Sequence, residues 1–421
     1  MARSVVVIGA GIVGMAAASF LRRDGHTVTV IDEREPGDGC SYGNAGAISP
    51  DMVVPMSTPG MLGKLPGWLM DPLGPLAIRP SYLPKAAPWL MRWVAAGRMD
   101  RVQASSAALR RLHQPVFEVY RDLLGVERFH DLVRTGGQLY VWRTEEVGRN
   151  ERIADALREA AGVRAEKVAA HELRQMEPSL SAAYCRGLWL PDNGHTSNPK
   201  RLVATVAELF QRSGGSILRR KVTAIQVIDG RVRAVRTPEG LVPADTVVVA
   251  AGAWSMRLLK PLGVRVPLEA ERGYHVMLPD PGLTIRNKLS NRSGSFSVTV
   301  MEGGVRLAGT VEIAGLDAPP NEERALVLLR QAAEMFPGIR TDGYRTWMGF
   351  RPGTPDSVPF IGAAPGVQGL FLDFGHGHTG LTGAPMSGRL LADLVAGRKP
   401  AIDPAAYSPT RFSGRQEKRA A

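Results

Sequence analysis

Cysteine is almost absent from this 421-residue chain: only Cys40 and Cys185 occur. Two thiols exclude a disulfide scaffold and a cysteine-rich metal site, so no metal is expected, and they fit a reducing compartment such as the cytoplasm. Long apolar runs are equally scarce. Apart from residues 4–21, no uncharged stretch approaches the ~20 apolar residues of a spanning helix. That leaves a soluble cytoplasmic protein, or one that rests on the inner face of a membrane without crossing it. Blocks of one charge are missing too. The formal net charge is +12, from 52 Lys and Arg against 40 Asp and Glu, with a pI near 10.0. Yet no basic cluster is longer than Arg219-Arg220-Lys221, and few aromatics lie between the charges. Such a surface attracts anionic molecules or an anionic membrane face, but scattered in this way it disfavours nucleic acid. No internal repeat or low-complexity tract is present. What remains is 44% hydrophobic, the composition of a globular protein, and long enough for two or three domains.

The most informative stretch runs from Ser4 to Leu21 and on to Thr27-Val-Thr-Val-Ile-Asp32. Four β-branched residues lead into Gly9, Gly11 and Gly14, an Ala-rich helix follows, and a second apolar strand stops on an acid. This is a β-α-β unit for a dinucleotide. Gly9 allows the tight turn, Gly11 lets the backbone approach a pyrophosphate, and Gly14 lets the helix lie close on the strand. Asp32 follows Gly14 by 18 residues, near the spacing of about 20 at which an acid meets a ribose. A secretory signal is the competing reading of residues 4–21, but it leaves the three spaced glycines and the acid unexplained.

Downstream, Gly37 to Gly46 runs into Ile48 and Pro50 and is rich in hydroxyl and amide groups, a second backbone cradle for phosphate or else a surface turn. Residues 52–99 hold prolines at 55, 59, 66, 72, 75, 80, 84 and 88, which argue against long helices. Met52, Met56, Met61, Trp68, Leu69, Met70, Trp89, Leu90 and Trp93 make this region apolar. It is expected to cap the site by internal packing; the alternative is a lipid contact flanked by Lys64, Arg79, Lys85, Arg92 and Arg98. A helix is expected over 102–124, a strand over 136–142, and helical structure over 150–177. Asn198 should cap a helix over 199–210. Strands follow at 216–218, 222–227, 232–237 and 246–252, the last apolar enough to be buried on both faces. Further strands are expected at 264–267, 271–278, 295–301 and 305–312, with a helix over 321–335 and a frayed tail from Pro409.

The second dense constellation lies at Trp347 to Gly362 and at Leu370 to Thr382, opening a helix over 384–396. Gly375, Gly377 and Gly380 admit a planar ligand, and the N–H groups after Thr379 favour negative charge. A nicotinamide alone would give this second glycine-rich helix start no task; a flavin dinucleotide needs both ends.

Taken together, Gly9-Ala-Gly-Ile-Val-Gly14, Cys40-Ser to Ser49-Pro50, Arg272-Gly-Tyr274, Gly349-Phe-Arg-Pro to Pro355-Asp356 and Gly375-His-Gly-His-Thr-Gly380 resemble the D-amino-acid oxidase superfamily of FAD enzymes. Within it they are most similar to the bacterial D-amino-acid dehydrogenase small-subunit group. His378, Thr379 and Phe350 depart from the usual pattern beside the expected substrate. The resemblance implies an α/β fold with an α+β second domain. A discontinuous Rossmann-like FAD domain would take 1–50, 191–263 and 345–405, a mixed or antiparallel-sheet substrate or cap domain 51–190 and 264–344, and a flexible tail 406–421. It implies FAD, with Gly9, Gly11 and Gly14 at the pyrophosphate and Asp32 or Glu33, with Arg34, at the ribose. Ser41, Asn44, Ala45 and Ile48 would stand behind the phosphates, Val222 beside the adenine, and Gly252 under the ribityl chain. Gly375, His376, Gly377, His378, Thr379, Gly380, Leu381 and Thr382 would surround the isoalloxazine. Neither cysteine falls in the C-terminal segment used for covalent attachment by sarcosine-oxidase relatives, so the flavin is expected to be non-covalent.

The implied reaction is oxidation of a small α-amino acid, of D configuration, to the imino acid, with electrons passing to a quinone, a carrier or O₂. Arg351 would hold the carboxylate, Tyr274 add a hydrogen bond, and His378 steer or deprotonate the amine. Alternatives are a dehydrogenase or oxidase of a cyclic or N-substituted amino acid, of D-hydroxyproline, glycine or sarcosine type, and a flavin-binding subunit that only scaffolds electron transfer.

Overall fold

The computed structural model describes residues 2–60, 63, 67 and 74–413. Its centre is the Ser4–Ile8 strand, whose β-branched side chains suit a pleat buried on both sides. The six-stranded sheet around it runs Ser216–Arg219, Thr27–Asp32, Ser4–Ile8, Thr246–Val249, Leu370–Phe374, Phe360–Ala363. All neighbours are parallel except the last pair. The two-residue period sends Val5 and Val7 to one face, where helices Ile12–Arg23, Pro199–Arg212 and Gly380–Ala396 cover them. Val6 and Ile8 go to the other, against Ile225, Val232 and Val235 of a three-stranded antiparallel sheet. The stretch that competes as a secretory signal is therefore the heart of the fold. The Asn198 side chain caps its helix, accepting from Arg201 N at 2.9 Å.

The second sheet is mainly antiparallel. Its order is Arg345–Gly353, Glu269–Leu278, Gly304–Ile313, Phe296–Met301, Leu289–Asn291, Gln138–Trp142, Arg186–Leu190, Glu166–Ala169. Helix Glu323–Met335 packs Ala325, Leu328 and Ala332 beneath it. The turn after Met301 is a hairpin at Gly303-Gly304 that joins strands Phe296–Met301 and Gly304–Ile313.

Several local expectations fail for identifiable reasons. The helix expected over 102–124 is two, Met99–His113 and Val116–Leu124, divided at Pro115, whose ring cannot continue a helical ladder. Residues 150–177 form helix Arg149–Ala160, strand Glu166–Ala169 and helix Ala170–Met176. Residues 264–267 pair with no strand, although Val264 and Val266 are buried in the core. Prolines do not prevent the 14-residue helix Leu83–Ala96: Pro84 falls in its first turn, where an N–H lacks a helical partner, and Pro88 sits inside it. This helix buries Trp89, Leu90 and Trp93, the two indoles stacked 6.3 Å apart, while Met91 and the flanking Lys85, Arg92 and Arg98 are exposed. These three large residues thus pack internally. Met61, Lys64, Trp68, Leu69 and Met70 lie outside the described residues. The start of the tail expected to be flexible from 406 and frayed from Pro409 is packed up to residue 413: Tyr407 is fully buried and donates to Ala108 O at 2.7 Å, and Arg411 grips Asp356 at 2.9 Å. No helix among the described residues is long and apolar enough to cross a membrane.

Candidate active site

Parallel strands align their carboxyl ends, and the ends of Ser4–Ile8, Thr27–Asp32, Thr246–Val249 and Leu370–Phe374 open together into one groove of about 300 Å³. Gly9 makes its turn at φ +115°, and a Cβ there would lie 2.4 Å from Ala250 O. Gly14 answers to the same turn, because a Cβ on it would lie 1.9 Å from Gly9 O. Gly11 differs: a Cβ would meet only Ser41 Oγ, at 3.5 Å. No internal packing demands glycine there, so its bareness serves the open groove. Ser41 Oγ accepts from Ile12 N at 3.1 Å and ties the second loop to the helix start.

Gly9, Gly11, Asp32, Glu33, Arg34, Ser41, Asn44, Val222, Gly252, Gly375, His376, Gly377, Gly380 and Leu381 all line this groove. The carboxylate of Asp32 is already engaged, accepting from Ala10 N at 2.8 Å and Arg34 N at 2.9 Å. Glu33, half exposed beside it, is the freer acid. Gly14, Ala45, Ile48 and Thr382 stand behind the groove instead: Ala45 O accepts from Thr299, Thr382 Oγ1 accepts from Ser49 N, and Ile48 is core. Sequence reasoning missed Cys40, Trp254, Arg220, Lys221 and Asp373 as groove residues. Trp254 lies two positions past Gly252, beyond the apolar strand pattern, and Arg220-Lys221 carry no signal in the sequence but charge. Cys40 donates to Phe350 O at 2.6 Å, and burial pushes its thiol up to about 11.

At the far end, Asp373 and His376 are buried, and Asp373 Oδ1 and both ring nitrogens of His376 find no hydrogen-bond partner among the described residues. The closest approach between the two side chains is 3.9 Å. Burial drives His376 down to about 3, which leaves a neutral imidazole, and pushes Asp373 well above the usual carboxylate range. Orphaned buried polar atoms at this density need partners, and a polar heterocycle bound in the groove would offer them.

A smaller cavity shares His376 and Gly377 with the groove and is also lined by His378, Thr379, Glu271, Thr354, Ser357, Leu109 and Met52. Burial, followed by the Arg351 charge, lowers His378 to about 4, which leaves a neutral imidazole. Arg351 is a register partner of Glu271 and lines neither space; its guanidinium donates to Thr310 O at 3.0 Å and Gly309 O at 3.4 Å. Those carbonyls belong to a bulge where Thr310 adopts φ +52°, a strained conformation for a β-branched residue. Tyr274 does not reach the cavity. Its hydroxyl donates to Glu312 at 2.6 Å, accepts from Asn321 N at 3.0 Å, and sits in the core under the second sheet. A substrate hydrogen bond from Tyr274 is therefore withdrawn: both capacities of its oxygen are used.

Residues 4–394 match the family described as FAD dependent oxidoreductase, abbreviated DAO. This chain belongs to the DAO family. It is 40% identical to a D-amino-acid oxidase of Bradyrhizobium diazoefficiens over 97% of this chain and 99% of that one. It is 32% identical to a D-amino acid dehydrogenase of Xanthobacter autotrophicus, again over 97% and 99%. Among solved structures, the L-proline dehydrogenase of P. horikoshii superposes with a TM-score of 0.75 at 20% identity, covering 98% of each chain. The glycine oxidase of Geobacillus kaustophilus gives 0.72 at 23%, covering 97% of this chain and 98% of that one. As a DAO-family oxidoreductase the protein is an FAD enzyme with the Rossmann-like fold of these flavoenzymes. The glycine turn, the groove and its unpartnered polar end all suit that cofactor.

Proposed function

We propose that this FAD enzyme oxidises an α-amino acid, of D configuration, to the imino acid, which water converts to the keto acid. The observation that carries the reading is the small cavity meeting the groove at His376 and Gly377, with Arg351 on the sheet behind it. The names of the D-amino-acid oxidase and D-amino acid dehydrogenase relatives point the same way. FAD would lie with its pyrophosphate at Gly9 and Gly11, its ribose at Glu33, its phosphates before Ser41 and Asn44, and its adenine beside Val222. Gly252 would sit at the ribityl chain and Gly375 to Leu381 around the ring. When bound, FAD supplies the acceptor for hydride from Cα.

The chain's own residues bind, orient and set charge. Arg351 takes the substrate carboxylate in place of its present carbonyl partners, since a planar guanidinium suits bidentate pairing. Neutral His378 steers the amine, and Met52, Val54 and Leu109 exclude water from Cα. FAD is held without a covalent bond, because a thiol that stays protonated, as Cys40 does, is a poor nucleophile. Electrons leave to a quinone, a carrier or O₂. Exposed Met91 beside Lys85 and Arg92 supports peripheral contact with an anionic membrane, and co-sedimentation with anionic vesicles tests it. The reaction itself is tested by anaerobic mixing with D- and L-amino acids, glycine, sarcosine and hydroxyproline. Bleaching by D-amino acids supports the reading, and bleaching by glycine, sarcosine or hydroxyproline alone moves the substrate to the cyclic or N-substituted class.

A further inference from the structure

The small cavity holds one charged group for which the reaction above has no use. Glu271, on the Glu269–Leu278 strand, is 8% exposed and lines the cavity, yet its carboxylate accepts no hydrogen bond from any described residue. A glycine makes room for it: a Cβ on Gly353 would lie 2.3 Å from Glu271 Oε1. Another glycine does the same for Arg351, since a Cβ on Gly273 would lie 2.2 Å from Arg351 Cζ. Glu271 and Arg351 are directly opposite on antiparallel strands, so both rise from one face of the sheet. They lean in opposite directions along the strands, each over its glycine, and form no ion pair. A cation and an acid thus stand side by side with no hydrogen bond or ion pair joining them, although each feels the other's charge. An α-amino acid carries a carboxylate and an ammonium group on a single carbon, the same pair with opposite signs.

We propose that Glu271 is the amine-binding residue of this enzyme, receiving the ammonium group of a substrate whose carboxylate is held by Arg351. One N–H bond of the ammonium breaks and one O–H bond forms on Glu271, leaving a neutral amine beside a neutral carboxylic acid. That transfer frees the nitrogen lone pair, which loss of hydride from Cα requires. The inference rests on the amino-acid reading of the site. Thr354 Oγ1, buried and unpartnered, lines the same cavity and offers the amine a second acceptor. The charged and titratable groups facing Glu271 are few. Burial raises its carboxyl to about 7, Arg351 opposes that rise, and Glu269 on its own strand adds to it. From the third strand the residue opposite is Ile313. The loop before the last helix brings His376 and His378, lowered to about 3 and about 4. Leu109 and Met52 to Met56 bring no charge to the cavity. A proton acceptor near 7 at this point is therefore Glu271 and neither histidine.

The test uses the holoenzyme with Glu271→Gln and Glu271→Asp, reading kcat/KM against pH for an amino acid and the inhibition constant of propionate, a carboxylate without an amine. In the wild type kcat/KM falls about tenfold per pH unit below about 7. Glu271→Gln loses that break and drops kcat/KM by roughly 100-fold at higher pH, the upper end of general acid–base effects being larger still, while propionate binds as well or better. Glu271→Asp regains part of the rate and the break. The proposal is overturned if Glu271→Gln keeps the wild-type kcat/KM and its break while Arg351→Ala abolishes propionate binding, and the amino-acid reading survives that result. It is also overturned if Glu271→Gln impairs only substrates with a cationic side chain. If propionate ignores Arg351→Ala and no amino acid bleaches the flavin, the amino-acid reading has failed first and takes the proposal with it.

Discussion

Gly9 shows how little freedom the first turn leaves. At φ +115° with Ala250 O at 2.4 Å from a would-be Cβ, Gly9→Ala costs about 1–3 kcal/mol in backbone strain alone, before the clash is relieved. The purified variant is expected to carry less FAD than the wild type, read from its visible absorbance against protein. At Gly11, where a Cβ meets only Ser41 Oγ at 3.5 Å, Gly11→Ala is expected to keep its thermal midpoint without FAD and yet bind FAD more weakly. Comparing apoprotein melting with FAD titration separates the two glycines. Arg351→Ala removes one partner of a buried charge pair, worth roughly 2–5 kcal/mol, so KM for the amino acid rises by about two orders of magnitude while FAD stays bound. An unchanged KM ends the assignment. The glycines and Arg351 were legible in the sequence because each sits in a motif with a backbone reason. Tyr274 was misread and Glu271 unseen for the opposite reason: both alternate along one strand, and only the three-dimensional partners decide which side meets the cavity.

Among the elements, the Leu83–Ala96 helix and the 404–413 segment are the clearest cases where structure overrides composition. Proline counting argued against the first, but Trp89 and Trp93 bury their indoles, and Trp89 Nε1 donates to Gly353 O at 3.2 Å. Burial of two large aromatics outweighs the ladder bond lost at Pro88. Trp89→Ala is expected to cost about 3–5 kcal/mol and, because Gly353 borders Glu271, to lower activity in the fraction that remains folded. From Pro409 on the chain reads as a polar, frayed tail, yet Arg411 lies 3.9 Å over the Phe360 ring and pairs with Asp356, both side chains being mostly buried. Arg411→Ala leaves Asp356 buried without its cation, a loss of about 3–5 kcal/mol visible as a lower melting temperature. The core strands needed no such correction, since runs like Val5-Val6-Val7-Ile8 fit only a sheet covered on both faces.

For the whole molecule, the two ends of the chain meet: Gly388 of the last helix comes so near Ala16 of the first that a Cβ would lie 2.7 Å from Ala16 C. That contact brings the amino-terminal glycine loop and the Gly375–Leu381 loop to one groove, although no local pattern in either stretch specifies the other. The folded molecule also buries several histidines. His113 and His378 are lowered to about 4 and His275 and His376 to about 3, in each case chiefly by burial. Their folded pKa values lie below the unfolded 6.5, so the unfolded chain binds more protons and stability falls as pH drops from about 6.5 towards 4. Melting temperatures measured across that window should decline steadily; a flat profile would mean that these imidazoles are solvated. Acid denaturation followed by ultrafiltration should release all the FAD, because Cys40 forms no covalent bond to it.

The central claim is that the groove and the small cavity form one site in which an amino acid reduces bound FAD. Anaerobic mixing of the holoenzyme with a panel of D- and L-amino acids tests it most directly. At least one D-amino acid should bleach the yellow flavin at once, and Arg351→Ala, loaded with FAD, should stay yellow at the same concentration. A holoenzyme that remains oxidised with every amino acid, although dithionite reduces it, would contradict the account and leave the protein a flavin carrier without this chemistry.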